Sequence, residues 1–223
     1  MKRAYYSSLT RSRQNRGTLL VSVMIGQMAT THAKDICKAL AIEKPKIGNV
    51  KLIAVDGHGG SGKSSLAGYL AQKLHAEIIR TDDFASWDNP FNWWPLVVER
   101  VFRPIGDGAK KLSYPRSKWW ANHNPEPVVD QPVTSIMILE GVSSLRKEFR
   151  NYMSFGIFVD TPEEICLKRG IQRDVSTGKP REEVVKLWQQ WLREENLYLK
   201  RDQPKRYADL VIDGTQPFEK QII

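Results

Sequence analysis

The sequence predicts an α/β domain built on a five-stranded parallel sheet with helices on both faces. Three observations predict it. Five short apolar runs alternate with stretches of helical periodicity. The first run passes directly into a glycine-rich turn and then a helix, and polar clusters follow the runs at what would be the carboxyl ends of the strands. At 223 residues the chain is long enough for one such domain with a full core.

Taken in order, residues 28–45 carry Ile36, Ala39, Leu40 and Ile42 at helical spacing and stop at Pro45. Val50–Val55 is a compact apolar run of the kind a buried parallel strand needs. After the turn, Leu66, Tyr69, Leu70 and Leu74 mark a helix over Ser65–Leu74. Glu77–Arg80 reads as a second strand, expected beside the first, and Trp94–Phe102 as a helix. Residues 104–133, rich in Pro, Gly and aromatics, read as irregular. Ser135–Leu139 and Phe155–Val159 are the third and fourth strands. Pro162 opens a helix over 163–174, as proline does at a first turn. A second helix spans 181–200, and Leu210–Ile212 is the fifth strand. Right-handed crossovers between these strands gather the polar strand ends along one edge of the sheet.

Composition narrows the function. The net charge is +9, yet residues 1–34 hold six basic side chains and no acid, and the remainder holds 28 basic and 25 acidic ones. The basic excess is mostly a property of the amino-terminal segment, which disfavours a nucleic-acid-binding face on the domain. Residues 1–27 are expected to be a disordered extension, with Met24 or Met28 as alternative starts and a targeting presequence as the competing reading. Residues 28–223 then form one domain. The longest apolar run, near Leu19–Ile25, falls well short of the ~20 residues a membrane span needs. Two isolated cysteines, Cys37 and Cys166, exclude a disulfide scaffold and fit a cytoplasmic protein.

The strongest chemical signal is Gly57-His58-Gly59-Gly60-Ser61-Gly62-Lys63-Ser64, a complete G-x-x-x-x-G-K-[ST]. Glycines allow main-chain amides to curl around phosphate oxygens, and the following helix points its positive end at the same anion. Lys63 reaches the terminal phosphates and Ser64 ligates Mg²⁺, so ATP-Mg²⁺ is the expected cofactor, with Gly57 through Ser65 as its contacts. Asp82 and Asp83 follow the second strand, where a phosphoryl acceptor needs a carboxylate for its proton; a helix cap is the alternative. Glu140 ends the third strand and suits Mg²⁺ or its water shell. Arg169 and Arg173 share one helix face in a stretch, 168–206, with eleven basic and six acidic side chains. Guanidinium forks match the charge of a transferring phosphoryl group, and Gly178 and Pro180 suit a mobile lid over about 168–182; a solvated basic face is the alternative. Five of seven tryptophans fall in Trp87–Trp120, together with Phe84, Phe91 and Tyr114. They suggest an aromatic wall for a flat ligand within an insert over about 84–133, with Arg116 as a polar candidate, or else loop packing. His123 is given no role.

Together, Gly57–Ser64, Asp82-Asp83-Phe84, Glu140-Gly141, Arg169-x-x-x-Arg173-Asp174 and Tyr207–Gly214 resemble the uridine kinase-like branch of the P-loop nucleoside and nucleotide kinases, over about residues 50–216. The resemblance implies a three-layer P-loop NTPase fold of the nucleoside monophosphate kinase type. It makes Asp82 the catalytic aspartate, and surrounds Mg²⁺ with Ser64, Glu140 and Asp82. It makes Lys63, Arg169 and Arg173 the charge-stabilising residues, and sets Asp209 near the adenine. The insert departs from uridine kinases proper, and Asp83, Phe84, Trp87, Tyr114 and Arg116 are the expected acceptor contacts. A small-molecule kinase, for a nucleoside or else a sugar, vitamin precursor or antibiotic, is the leading reading. A nucleic-acid-associated ATPase, which would need its basic tail, and a scaffold with a vestigial site compete with it.

Overall fold

The computed structural model describes residues 33–86, 89, 92–117 and 127–221. Residues 1–27, the start of the first helix, and Trp87, Phe91, Trp119, Trp120 and His123 lie outside the described residues. Helix α1 is Ala33–Ile42, strand β1 Lys51–Gly57, helix α2 Lys63–Leu74 and strand β2 Glu77–Arg80. A 3₁₀ turn, Thr81–Asp83, follows β2. Helix α3 runs from Trp94–Val97 through a π-helical turn at Val98–Phe102 into Arg103–Gly106. Pro104 has no N–H to continue an α-helical ladder, which accounts for irregular winding at that point. Strands β3 (Lys111–Pro115) and β4 (Val128–Pro132) precede β5 (Ile136–Glu140) and β6 (Phe155–Asp160). Helices α4 (Glu163–Val175), α5 (Arg181–Asp202) and α6 (Pro204–Tyr207), strand β7 (Leu210–Asp213) and helix α7 (Phe218–Gln221) complete the chain.

The main sheet has five parallel strands in the order β2-β5-β1-β6-β7. All five strands match the expected ones within two residues at each end. One expectation fails: β2 does not neighbour β1. Strand β5 lies between them, pairing Val55 with Glu140 on one side and Arg80 with Glu140 on the other. Sequence periodicity specifies that a strand is buried, but not which strands flank it.

Alternation along the strands builds the three layers. In β1, Leu52 and Ala54 face a core shared with α3 and with Phe149, while Ile53 and Val55 face α1 and α2. Strand β5 divides in the same way, with Leu139 on the first face and Ile138 on the second. Both faces are therefore dry, and the near-continuous apolar runs of the sequence follow from that. On the second face, Leu66, Ala67 and Leu70 of α2 and Ile36 and Leu40 of α1 are buried. The Lys51 ammonium caps the Leu40 carbonyl at 2.6 Å.

The insert holds a second correction. Residues 111–132 include the antiparallel hairpin β3–β4, with Tyr114 opposite Val129 and Leu112 opposite Gln131. Leu112 and Tyr114 point inward between exposed Lys111, Ser113 and Pro115. Pro115 and Pro132 end the two strands of this isolated pair, where a missing amide costs no ladder bond.

Gly141, directly after β5, has φ 140°, and a Cβ there would run into the Thr81 side chain. The end of β5 and the turn after β2 are thus packed main chain to side chain. Gly141→Ala is expected to destabilise the fold by roughly 3 kcal/mol. A urea midpoint equal to that of the parent would show that the contact relaxes freely.

Candidate functional site

The Gly57–Ser64 turn joins β1 to α2 and forms the floor of a cavity of about 980 Å³. Gly60 has φ 80°, and a Cβ there would collide with the Cys166 carbonyl of α4, so the turn is pressed against a helix behind it. The Ser61 carbonyl accepts the Thr161 hydroxyl at 2.9 Å. Lys63 is buried, with Nζ 3.3 Å from the His58 carbonyl. The first amides of α2 have no intrahelical acceptor, and Gly59, Gly60, Gly62, Lys63, Ser64 and Ser65 all border the cavity. Amides, helix dipole and ammonium there suit a polyphosphate. Gly57, His58 and Ser61 belong to the turn but do not border the cavity.

Glu140 occupies the wall. Being the last residue of the strand beside β1, it sits 5% exposed, its Oε1 accepting the Ser64 hydroxyl at 2.9 Å and its Oε2 3.3 Å from Arg80 Nη1. Asp82 stands on the 3₁₀ turn and also borders the cavity. Ser64, Glu140 and Asp82 supply hard oxygen donors. Among the described residues no group of three or more His, Cys, Asp or Glu could hold a metal alone. That donor set fits Mg²⁺, which uses one or two carboxylates and completes its shell with phosphate and water.

Asp83 turns the other way. It is 4% exposed and lies 3.2 Å from Arg116 Nε, and its carbonyl accepts the Ser117 amide at 2.7 Å. Burial raises the Asp83 pKa, against the pull of the Arg116 charge. Phe84 and Tyr114 are buried with ring centroids 4.9 Å apart, and Phe84 also stacks on Trp93. Asp83, Phe84, Tyr114 and Arg116 therefore join the insert to the Asp82 turn and do not border the cavity, contrary to their expected contact with the acceptor. Trp87 lies outside the described residues. Among the described aromatics of this region, Trp93 borders the cavity.

The far wall comes from α4, α5 and the segment after β7. Arg169, Arg173 and Lys179 border the cavity, and Arg169 Nη1 donates to the Gly214 carbonyl at 2.9 Å. The expected lid is compact: residues 176–180 form a tight corner between α4 and α5. Asp209 is a correction. It precedes β7, and because β7 runs parallel to β6, it sits at the amino edge of the sheet, bonded to the Gly156 amide at 2.7 Å. Gly156 is three residues before Val159, which flanks Gly57, a distance of roughly 10 Å along the strand. The segment after β7 takes the place expected of Asp209: Gly214 to Phe218 border the cavity, and a Cβ on Gly62 would lie 3.0 Å from Phe218 Cζ.

Sequence reasoning also missed Trp188, Trp191 and Glu195 of α5, all on the cavity wall, and Asp56. Their signal was the spacing of three, four and seven on one helix face. Asp56 is fully buried. Its Oδ1 accepts the amides of Gly57 (2.7 Å) and Ser143 (3.1 Å), and its Oδ2 accepts the Leu145 amide (2.8 Å) and the Tyr198 hydroxyl (2.6 Å). Burial nevertheless pushes its pKa up to about 6, against the pull of the Tyr198 hydroxyl, the Leu145 and Gly57 amides and the Lys63 charge.

Parallel sheet, phosphate-binding turn, acidic wall and arginine-bearing helix define a P-loop protein of the kinase type. The chain belongs to the phosphoribulokinase/uridine kinase family, whose sequence pattern matches residues 97–217. A uridine kinase of Pectobacterium atrosepticum is 26% identical over 185 residues, covering 72% of this chain and 85% of that protein. A uridine kinase of Serratia proteamaculans is likewise 26% identical, over 184 residues, with 72% and 85% coverage. Among solved structures, a possible uridine kinase from Bacillus stearothermophilus superposes with a TM-score of 0.57 at 20% identity, over 81% of this chain and 97% of that one. That likeness concerns the fold. Among the described residues no helix is long and apolar enough to cross a membrane.

The raised pKa of Asp56 has a stability consequence. Its folded value, about 6, exceeds the unfolded 3.8. The protonated form therefore adds stability that is complete below about pH 4 and lost as pH rises through about 6, on the order of 3 kcal/mol from this group alone. Tyr198→Phe removes the largest pull toward ionisation and is expected to move the Asp56 midpoint higher. Carbon-13 titration of its carboxyl carbon reads this, and an unmoved midpoint would show that the hydroxyl carries no such bond.

Proposed function

We propose that the protein is an ATP-dependent phosphotransferase that moves the γ-phosphate to a hydroxyl of a nucleoside. The observation that carries this reading is the meeting, in one cavity, of Lys63 and Ser64 on the floor, Glu140 and Asp82 on one wall, and Arg169 and Arg173 on the other. The name shared by the curated relatives supports a nucleoside as acceptor.

The main-chain amides of Gly60 to Ser64 and the Lys63 ammonium bind the phosphates of ATP. Ser64 and Glu140, with Asp82 on the same cavity, would hold Mg²⁺, which would neutralise phosphate charge when bound. Asp82 orients the acceptor hydroxyl and takes its proton as the new bond forms. Arg173 and Lys63 stabilise the charge spread over the transferring group. Arg169, tied to the Gly214 carbonyl, closes the nucleotide side together with the segment up to Phe218. Trp93 and the α5 tryptophans restrict water around the reacting atoms. In the insert, Asp83 and Arg116 hold the turn that presents Asp82. Removal of residues 1–27 is expected to leave catalysis intact, as ADP release would show.

Asp82→Asn is expected to bind ATP-Mg²⁺ as the parent does and to lose about 10²–10⁴-fold in turnover. Calorimetry and ADP release measure the two separately, and undiminished turnover would remove Asp82 from the mechanism. Screening ADP release against nucleosides, nucleoside monophosphates, sugars and vitamin precursors tests the acceptor. Nucleosides are expected to stimulate, and stimulation by another class alone would replace the nucleoside.

A further inference from the structure

Helix α5 buries Val184, Trp188, Glu195, Tyr198 and Asp202 along one stripe. A helix that served only to cover the site would present apolar residues there. Instead, Glu195 is 6% exposed and grips the phosphate-binding turn. Its carboxylate accepts the Gly59 amide, at 3.1 Å to Oε2 and 3.3 Å to Oε1, and Oε2 lies 2.8 Å from His58 Nδ1. A buried carboxylate is costly unless fully engaged, and this one stands at a loop built to receive anions. His58 Nδ1 meets the same carboxylate without bordering the cavity, so the arrangement holds two consecutive residues of the turn.

Two helical turns earlier, Trp188 does the same for α4. Its indole lies against the Cα atoms of both Gly59 and Gly170. A Cβ at Gly59 would be 2.9 Å from Cζ3, and one at Gly170 would enter the ring. Trp188 Nε1 donates to Asp174 Oδ2 at 2.8 Å, and Asp174 Oδ1 accepts Arg173 Nε at 2.9 Å. The Arg173 guanidinium stands 5.6 Å from the indole centroid, within cation–π range. One helix face thus holds the turn that receives phosphates and the side chain that orients Arg173.

We propose that α5 is a strap that registers the phosphate-binding turn against Arg173, with Glu195 and Trp188 as positioning residues. The inference rests on reading the cavity as a nucleotide site. Glu195 sets the His58–Gly59 main chain, and with it the direction of the amides that follow. Trp188 and Asp174 set the guanidinium.

The test uses the full chain and ATP-Mg²⁺ alone, by calorimetry, with thermal melting of each variant. Glu195→Ala is expected to weaken binding roughly tenfold or more, whereas Glu195→Gln, which keeps an oxygen for the Gly59 amide, is expected to stay within about threefold of the parent. Parent-like binding by Glu195→Ala, or equal loss in both variants, overturns the role of Glu195. Should the alanine variant not fold, the glutamine variant decides: tenfold weakening despite a parent-like melt overturns it. Asp174→Ala leaves the Trp188 ring on both glycines and removes only the acceptor that links its Nε1 to Arg173 Nε. It is expected to bind ATP-Mg²⁺ normally and, once the acceptor that stimulates the parent is added, to release ADP several-fold more slowly than the parent; unchanged release overturns the role of Trp188 in setting Arg173. Failure of the parent itself to bind ATP-Mg²⁺ would instead overturn the nucleotide reading of the cavity.

Discussion

The buried carboxylate of Asp56 is the constraint on which the site depends. It is the penultimate residue of the central strand, and its two oxygens collect two amides from the 141–145 loop after β5, the amide of Gly57 and a hydroxyl from α5. Four donors converge on one fully buried group. Three pieces of chain far apart in sequence are thereby fixed around the first residue of the phosphate-binding turn. The Tyr198 hydroxyl answers the Asp56 carboxylate, and burial pushes the pKa of both upward. Without these donors the carboxylate would have no way to remain ionised in the core, and without the carboxylate three loop amides would lose their acceptor.

From that anchor the charges divide by side of the cavity. Glu140 is held between the Ser64 hydroxyl and Arg80, at the end of the strand that separates β1 from β2. The position gives Glu140, rather than the aspartates after β2, the contact with Ser64, and leaves Asp82 elsewhere on the same cavity. Basic groups come from the opposite wall, on α4 and its corner with α5. Adjacent residues take opposite tasks: Asp82 meets the cavity, while Asp83 is spent on Arg116 inside the insert. A short 3₁₀ turn makes this possible, since successive side chains there diverge by about 120°.

Much of the fold was legible in the sequence. The five apolar runs became the five strands because a parallel sheet covered on both faces needs uninterrupted hydrophobic segments. The turn Gly57–Ser64 was legible because its chemistry is local: glycine for main-chain approach, lysine and serine at fixed offsets in the following helix. Glu140, Asp82, Arg169 and Arg173 were legible as strand-end and helix-face residues. The β3–β4 hairpin was not, because its pattern is short and its prolines imitate loop. Asp209 was misplaced because a residue beside a strand says nothing of which edge of the sheet it occupies until the strand direction is known. Trp188, Glu195 and Tyr198 were passed over as ordinary members of an amphipathic helix.

By itself, then, the sequence determined the class of fold, the phosphate-binding turn and several acidic and basic residues that border the same cavity, since each follows from periodicity or from spacing within one element. Tertiary structure alone decided the strand order that brings Glu140 to Ser64, which of two neighbouring aspartates reaches the cavity, and the contact of α5 with a turn more than a hundred residues earlier. Those outcomes depend on which elements pack side by side. Packing joins residues through space, whereas composition and periodicity report only the order along the chain.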